Sequence, residues 1–443
     1  MNLVIRGVRV IDPSRDVDAV ARDVRIEAGV ITAIGGAVDD LGLRVLDLTP
    51  SAGQAWCVLC PGFIDLHAHL REPGAERGET IATGARAAAA GGFTQVVAMA
   101  NTSPPIDSPE RVRDAVERAK GAAVDVLTVA AATRGLEGEA LVEVEECAEQ
   151  GAVAFSDDGR NAMAESTLVE CLRRAAALGR AVLVHPEAEA MLATAPGARA
   201  IVRVALRSVD VETAAVEAAL RALRTAGTGH LHLQHLSTSH SVDLLTRAKS
   251  EGLSVSAEVT PHHLGISAAD GGAGDDPMFK VNPPLRAREH REAVLHALRD
   301  GVIDCVATDH APHEAGEKSL PYADAAPGMI GLETALALCI TRAEMGGEWL
   351  PVLVDRLTRG PYGVMRTTGH VRGPALQTGE AASCVVFDPD EEWVVGEVPM
   401  QSRSRNTPLD GARLRGRVLL TIHDGRVVHW SPQLAGLRDP ARV

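Results

Sequence analysis

From about residue 60 to residue 310, short apolar runs alternate with longer, Ala-rich amphipathic stretches. The runs are "CPGFIDLH", "FTQVVAMA", "VDVLTVAAA", "GAVAFSD", "RAVLVH", "HLHLQH", "LSVSAEV" and "VIDCVATD". Each has strand length and is rich in Val, Ile, Leu and Phe, as buried strands are. Between most of them lie helical stretches such as "TIATGARAAAAGG", "SPERVRDAVERAK", "STLVECLRRAAALG" and "SVDLLTRAKSEG", several closing on Gly, a common helix stop. Strand–helix alternation predicts a parallel sheet, and about eight such units predict closure into an α/β (β/α)8 TIM-like barrel. An open doubly wound sheet is the competing fold, but its Gly-rich phosphate loop is not evident. The two ends have another texture. "LVIRGVRVID", "DVRIEAGVITAIG" and "LRVLDL" near the start, and "ASCVVFDPDEEWVV" and "VLLTIHDGRVVHW" near the end, are β-rich runs broken by Gly, Asp and Pro. Residues 1–58 and 373–443 are therefore expected to form one small β-sheet domain beside a barrel of residues 59–372.

Barrel chemistry sits at the carboxyl ends of strands, and the polar residues of this chain collect there. His67 and His69 close the first run, Asn101 follows the second, Asp157 and Asp158 the fourth, His185 the fifth, His235 the sixth and Asp309 the eighth. In a strand, residues i and i+2 point to one face, so His67 and His69 project side by side. Taken singly, a strand-end His is an ordinary hydrogen-bonded rim residue, and a strand-end Asp a helix N-cap. Together, four His and two Asp at one barrel end would be costly to bury unpaired, and a shared metal centre satisfies them. Imidazole and carboxylate favour zinc over magnesium or calcium. Four histidines exceed what one catalytic zinc uses, so two ions sharing a carboxylate fit the count.

Composition narrows the function little further. The 443 residues carry a net charge of −15 with no Lys/Arg-rich block, which argues against a nucleic-acid partner but not against an anionic substrate. No apolar segment reads as membrane-spanning, and the start "MNLVIRGVRVIDP" lacks a signal-peptide pattern, so a cytoplasmic location is the expectation. Seven scattered cysteines fit a reducing compartment; Cys57 and Cys60 form a C-x-x-C without a second pair, better read as strand cysteines than as a zinc knuckle.

"DLHAHLREPG" and "ATDHAPHEAGEK" resemble the two signature stretches of dihydroorotase, in the amidohydrolase superfamily, and "NTSPP", "FSDDG", "EVTPHHL" and "FKVNPPLR" match in order. The similarity is to the class I bacterial type, which carries aspartate where many amidohydrolases have a carboxylated lysine on the fourth strand; the spacing to His185 selects Asp158. The resemblance implies two zinc ions per subunit, bridged by Asp158 and a hydroxide, with His67, His69 and Asp309 on one and His185 and His235 on the other. Pro186 departs from the family, whose members often have Cys after the fifth-strand histidine. The implied reaction is the reversible cyclisation of N-carbamoyl-L-aspartate to L-dihydroorotate in pyrimidine synthesis, with Asp309 moving the proton. Arg71, two residues beyond His69, starts from the same pleat face, and its fork suits the substrate carboxylate. Asn101 and His313 resemble the family's other carboxylate partners, Asn282 is expected at the ring, and Pro327 and Gly328, at the end of a binding loop from His310, are expected to offer the substrate backbone contacts. The resemblance leaves room for a homodimer and for a complex with aspartate transcarbamoylase. Two other readings compete: a hydantoinase- or allantoinase-like cyclic amidase, whose ring lacks that carboxylate, and a non-catalytic scaffold for the transcarbamoylase, which the full ligand set disfavours.

Overall fold

The computed structural model describes residues 1–159, 163–186, 209–271 and 275–434. Eight parallel strands follow one another around a barrel in chain order: β6 (Phe63–Ala68), β7 (Phe93–Ala98), β8 (Asp125–Ala130), β9 (Ala152–Ser156), β10 (Ala181–Val184), β11 (His230–Leu233), β12 (Val255–Val259) and β13 (Cys305–Val306). The seam between last and first closes through a parallel bridge of Ala68 with His310 and the His69 N–H donating to the His310 carbonyl at 2.8 Å. All eight apolar runs thus supply a barrel strand.

A second sheet is built from the two ends of the chain. It contains β1 (Leu3–Asp12), β2 (Val17–Glu27), β3 (Val30–Gly35), β4 (Val45–Asp47) and β5 (Val58–Pro61), with β14 (Cys384–Val394), β15 (Arg413–His423) and β16 (Arg426–Trp430). The two ends meet where β5 pairs with β1 on one side and β14 on the other. β5 straddles the division expected after residue 58, and the run "CPGFIDLH" is split at Gly62, with the barrel strand beginning at Phe63. A Cβ at Gly62 would lie 2.2 Å from the Thr94 side chain, so the crossing between sheets has no room for another residue type. Cys60 is buried in β5, and Cys57 just before it is a free thiol.

Strand alternation decides what the barrel encloses. Along β11 and β12, Leu231, Leu233, Val255, Ala257 and Val259 share one apolar core with helical residues such as Leu220, Leu245 and Val294. The intervening His232, Gln234, Ser256 and Glu258 therefore face the barrel interior, and all four are buried. The helices form outside as the sequence dictates. Ile81–Ala90, for example, is an Ala-rich stretch capped by Thr80, whose hydroxyl accepts from the Thr83 N–H at 3.1 Å. Among the described residues no helix is long and apolar enough to cross a membrane.

Candidate active site

The first-strand histidines leave β6 pointing into the barrel mouth. His67 is fully buried and donates its Nδ1–H to Glu258 Oε1 at 2.7 Å, which leaves Nε2 free as a lone-pair donor. His69 does the same with Asn101, its Nδ1 lying 2.9 Å from Oδ1. The two free nitrogens meet two carboxylates: His67 Nε2 is 3.4 Å from Asp158 Oδ1 and 3.6 Å from Asp309 Oδ1, and His69 Nε2 is 3.1 Å from Asp309 Oδ1 and 3.5 Å from Asp158 Oδ2. His185 Nδ1 approaches Asp158 Oδ1 at 3.1 Å and His235 Nε2 at 2.7 Å. All six expected ligands thus gather in one cluster. Two triads within it, His67–His69–Asp309 and His67–Asp158–His235, keep their ligand atoms within 4.8 Å of one another.

The arrangement fits a cation. A tetrahedral ion with bonds of about 2.0–2.1 Å sets neighbouring ligand atoms roughly 3.3 Å apart, close to the spacings around His67 and His69. His235 Nδ1 is buried with no hydrogen-bond partner among the described residues. Electrostatics agree. Burial works against charge on His67, but Asp158, Asp309 and Glu258 outweigh it and push its pKa well up. Burial would raise Asp158 and Asp309, yet the surrounding imidazoles hold both far below the usual carboxylate range. The carboxylates therefore demand positive charge at this point, from protons or from metal. Among the His185–His235 pair, His235 is driven well down, first by burial and then by His185 and His67. The chain bends sharply here, with φ of 31° at His235, 45° at Asp309 and 61° at Arg71. Such left-handed backbone at non-glycine residues concentrates where function over-determines geometry.

Asp157, the neighbour of the expected bridge, is occupied elsewhere. Its Oδ1 accepts from the N–H groups of Ala132 and Thr133, both at 2.9 Å, and its Oδ2 accepts from the Thr133 hydroxyl. Asp158 alone of the pair faces the imidazoles.

Beside the cluster, Arg71 is half-buried, and desolvation lowers its pKa. Its Nε donates to the Pro312 carbonyl at 3.0 Å, and its Nη2 lies 3.3 Å from His313 Nε2. His313 Nε2 also lies 2.8 Å from the Pro327 carbonyl, to which the Nε2–H tautomer donates. Gly328 has φ of 130°, and a Cβ there would sit 2.6 Å from Ala311 Cβ and 3.1 Å from His313 Nε2. Its N–H donates to the Lys280 carbonyl at 2.8 Å, and its carbonyl accepts from Lys318 Nζ at 3.0 Å and Asn406 Nδ2 at 3.2 Å, so both its backbone polar groups are engaged by the protein. Asn101 is bound to His69 and, at 3.5 Å, to Asp158 Oδ2. Asn282 is half-buried at a cis bond to Pro283.

Several site residues were not among those expected. Glu258 bridges His67 and, through Oε2 at 3.1 Å, His232 Nε2; Glu79 accepts from His310 at 3.3 Å and from the Ser402 hydroxyl at 2.6 Å. Glu258 lies on an interior-facing position of its strand, within "EVTPHHL", and its alternation with Ala257 and Val259 was the available signal. Nothing local marks Asn406.

A barrel of this kind, with paired His at the first strand and an Asp at the eighth, defines an amidohydrolase. Solved structures of that class superpose over nearly the whole chain. The L-hydantoinase (dihydropyrimidinase) from Arthrobacter aurescens matches with a TM-score of 0.82 at 25% identity, covering 97% of this chain and 96% of that one. The dihydropyrimidinase from Brevibacillus agri has the same fold, with a TM-score of 0.80 at 23% identity over 97% and 95% of the two chains. In sequence, residues 57–240 match the family model described as Dihydro-orotase-like. A dihydroorotase of Anaeromyxobacter dehalogenans is 42% identical over 435 residues, 96% of this chain and 98% of its own length. One of Citrifermentans bemidjiense is 37% identical over 433 residues, 97% of this chain and all of its own. The chain belongs to the dihydroorotase family.

Proposed function

We propose that this chain is a zinc-dependent dihydroorotase, interconverting N-carbamoyl-L-aspartate and L-dihydroorotate. The observation that carries the reading is the convergence of His67, His69, Asp158 and Asp309 on one point, with the half-buried Arg71 and His313 beside it. The donor set favours two zinc ions: His67, His69 and Asp309 would hold one, His185 and His235 would hold the other, and Asp158 stands between the two sets of imidazoles. Bound there, the metal pair supplies Lewis acidity and lowers the pKa of water towards neutrality. The chain's own residues do the rest. Arg71 and His313 bind the substrate carboxylate, the guanidinium offering a fork that a carboxylate fits. Asn101 holds His69 in the tautomer with Nε2 unprotonated. Asp309, kept ionised by its imidazole neighbours, accepts the proton of the attacking water and delivers it to the departing ring nitrogen. In cyclisation the ureido nitrogen attacks the side-chain carboxyl, Asp309 takes the proton that nitrogen loses, and it passes the proton to the leaving oxygen, which departs as water. Burial of the cluster excludes bulk water and strengthens each of these interactions.

A hydantoinase-like activity is the second reading, because the hydantoinase structures share the fold. Arg71 with His313 weighs against it, since a hydantoin ring offers them no matching carboxylate. The test is steady-state kinetics on zinc-replete protein with dihydroorotate, carbamoyl aspartate and hydantoin, with metal measured on the same sample. Turnover of the first two with bound zinc is expected. Hydantoin turnover without dihydroorotate turnover, or a metal-free inert protein, would overturn the assignment.

A further inference from the structure

We propose that Asn406 is a positioning residue that sets the carboxylate-binding geometry of Arg71 and His313. This rests on the functional reading above and adds a residue from the terminal sheet to it. Asn406 lies on the connection between β14 and β15, outside the barrel in sequence, yet it is only 3% exposed. Its Oδ1 accepts from the His313 N–H at 3.0 Å. Its Nδ2 donates to the Ala311 carbonyl at 2.9 Å and to the Gly328 carbonyl at 3.2 Å. Its own carbonyl accepts from the Ile330 N–H at 3.0 Å.

The amide can take only this orientation. Turned over, it would face two carbonyls with its oxygen and an N–H with its nitrogen. One side chain therefore ties the start of the loop, at Ala311 and His313, to its end, at Gly328. The span it closes is the one whose ends carry His313 and the Pro327 carbonyl that His313 Nε2 meets. Arg71 is fixed to the same segment through the Pro312 carbonyl. Asn406 touches no metal ligand among its hydrogen-bond partners, so its removal should loosen the carboxylate site and leave the metal cluster standing. Catalysis then suffers in binding: a misplaced His313–Arg71 pair holds the substrate less tightly, while Asp309 and the imidazoles are unmoved.

The experiment compares wild type with Asn406→Ala and Asn406→Ser in zinc-replete full-length protein, measuring KM and kcat for dihydroorotate, zinc content, and inhibition by two rings. Orotate carries the carboxylate; dihydrouracil lacks it. We expect KM to rise about tenfold or more, the order of a lost hydrogen bond to a charged group. Zinc content and kcat should stay near wild type, orotate inhibition should weaken in step with KM, and dihydrouracil inhibition should not change. Serine, able to keep a donor near Gly328 or Ala311, should recover part of the KM. Unchanged KM and orotate inhibition in both variants overturns the role. Loss of zinc or of folding in both does so too, because the residue would then serve the fold at large. A wild-type protein that does not turn over dihydroorotate would instead sink the functional assignment, and this role with it.

Discussion

Glu258 offers the sharpest test of how the cluster is held. Its two oxygens take the Nδ1–H of His67 at 2.7 Å and the Nε2–H of His232 at 3.1 Å, all three side chains being fully buried. Burial would raise its pKa, but the two imidazoles bring it down to about 2. As a carboxylate it fixes the His67 tautomer and makes Nε2 a stronger ligand. Glu258→Gln keeps one acceptor for His67. Its amide can also donate to His232 Nε2, provided His232 shifts its proton to Nδ1 and donates to the Ser256 hydroxyl at 2.7 Å. The loss is then the charge alone, roughly half the strength of the bond, or about tenfold in metal affinity. Glu258→Ala strands the His67 Nδ1–H and frees His67 to adopt the wrong tautomer, while His232 can turn its proton to Ser256. Affinity should then fall about 100-fold, about 2.7 kcal/mol by the usual conversion. The stranded donor should cost about 1–3 kcal/mol of stability besides. Competition with a zinc-binding dye measures the affinity, and urea unfolding of the metal-free proteins separates the stability loss. Wild-type zinc affinity in a folded Glu258→Ala protein would refute the reasoning, as would a glutamine variant weaker than the alanine one.

Three further predictions follow from the same geometry. Asp158→Ala should reduce bound metal. Asp157→Ala should retain it and lose about 1–3 kcal/mol of stability through the stranded Ala132 and Thr133 N–H groups; metal analysis and denaturant unfolding distinguish them, and the opposite pattern would reassign the shared ligand. Gly328→Ala places a Cβ 2.6 Å from Ala311 Cβ at a φ of 130°, a strain of about 1–3 kcal/mol, and should raise KM for dihydroorotate about tenfold without changing metal content. Glu333, whose carboxylate takes the N–H groups of Gln401 and Ser402, has its pKa pushed up by burial to about 7. The folded chain thus keeps a proton that the unfolded chain releases near pH 4.5, so this group's contribution to stability falls as pH rises from about 4.5 to about 7, by up to about 3 kcal/mol. Unfolding at pH 5 and pH 7.5 should show that fall in wild type and a smaller one in Glu333→Gln; equal slopes would contradict the shift.

What could be read along the chain was whatever the strand ends write locally. A parallel barrel brings each strand's carboxyl end to one rim, so His67, His69, Asp158, His185, His235 and Asp309 could be grouped without knowing how far apart the strands lie. Strand alternation also carried more than it was asked for. "HLHLQH" and "LSVSAEV" alternate polar with apolar, and the apolar set, Leu231, Leu233, Val255, Ala257 and Val259, had to face the helices. His232, Gln234, Ser256 and Glu258, at the alternate positions, face the interior and are buried there. Their partners were not legible: Glu258 reaches His67, 191 residues away, and no local pattern says which interior groups meet across a barrel. Asp157 and Asp158 show the limit from the other side, since both are acidic and adjacent, and only the N–H groups of Ala132 and Thr133 reveal which one is spent on structure.

The terminal sheet was legible as a sheet, because its runs alternate and punctuate as strands do. Its connection from β14 to β15 was not, because a loop's length does not say where its tip goes. That connection delivers Ser402 to Glu79, which also binds His310, the neighbour of Asp309. It also delivers Ser404 to the Gly78 carbonyl at 2.6 Å, and Asn406 to His313 and Gly328. Glu79 itself is fully buried, so these bonds lie in a dry environment where a lost partner is expensive. The barrel thus places the ligands that suit a metal, while the ends of the chain hold the loop beside them. Separating barrel from terminal sheet would leave Glu79 and the Gly328 carbonyl each short of a partner on the substrate side. The pairing of β5 with both β1 and β14 makes the sheet that carries this strap depend on both ends of the chain at once.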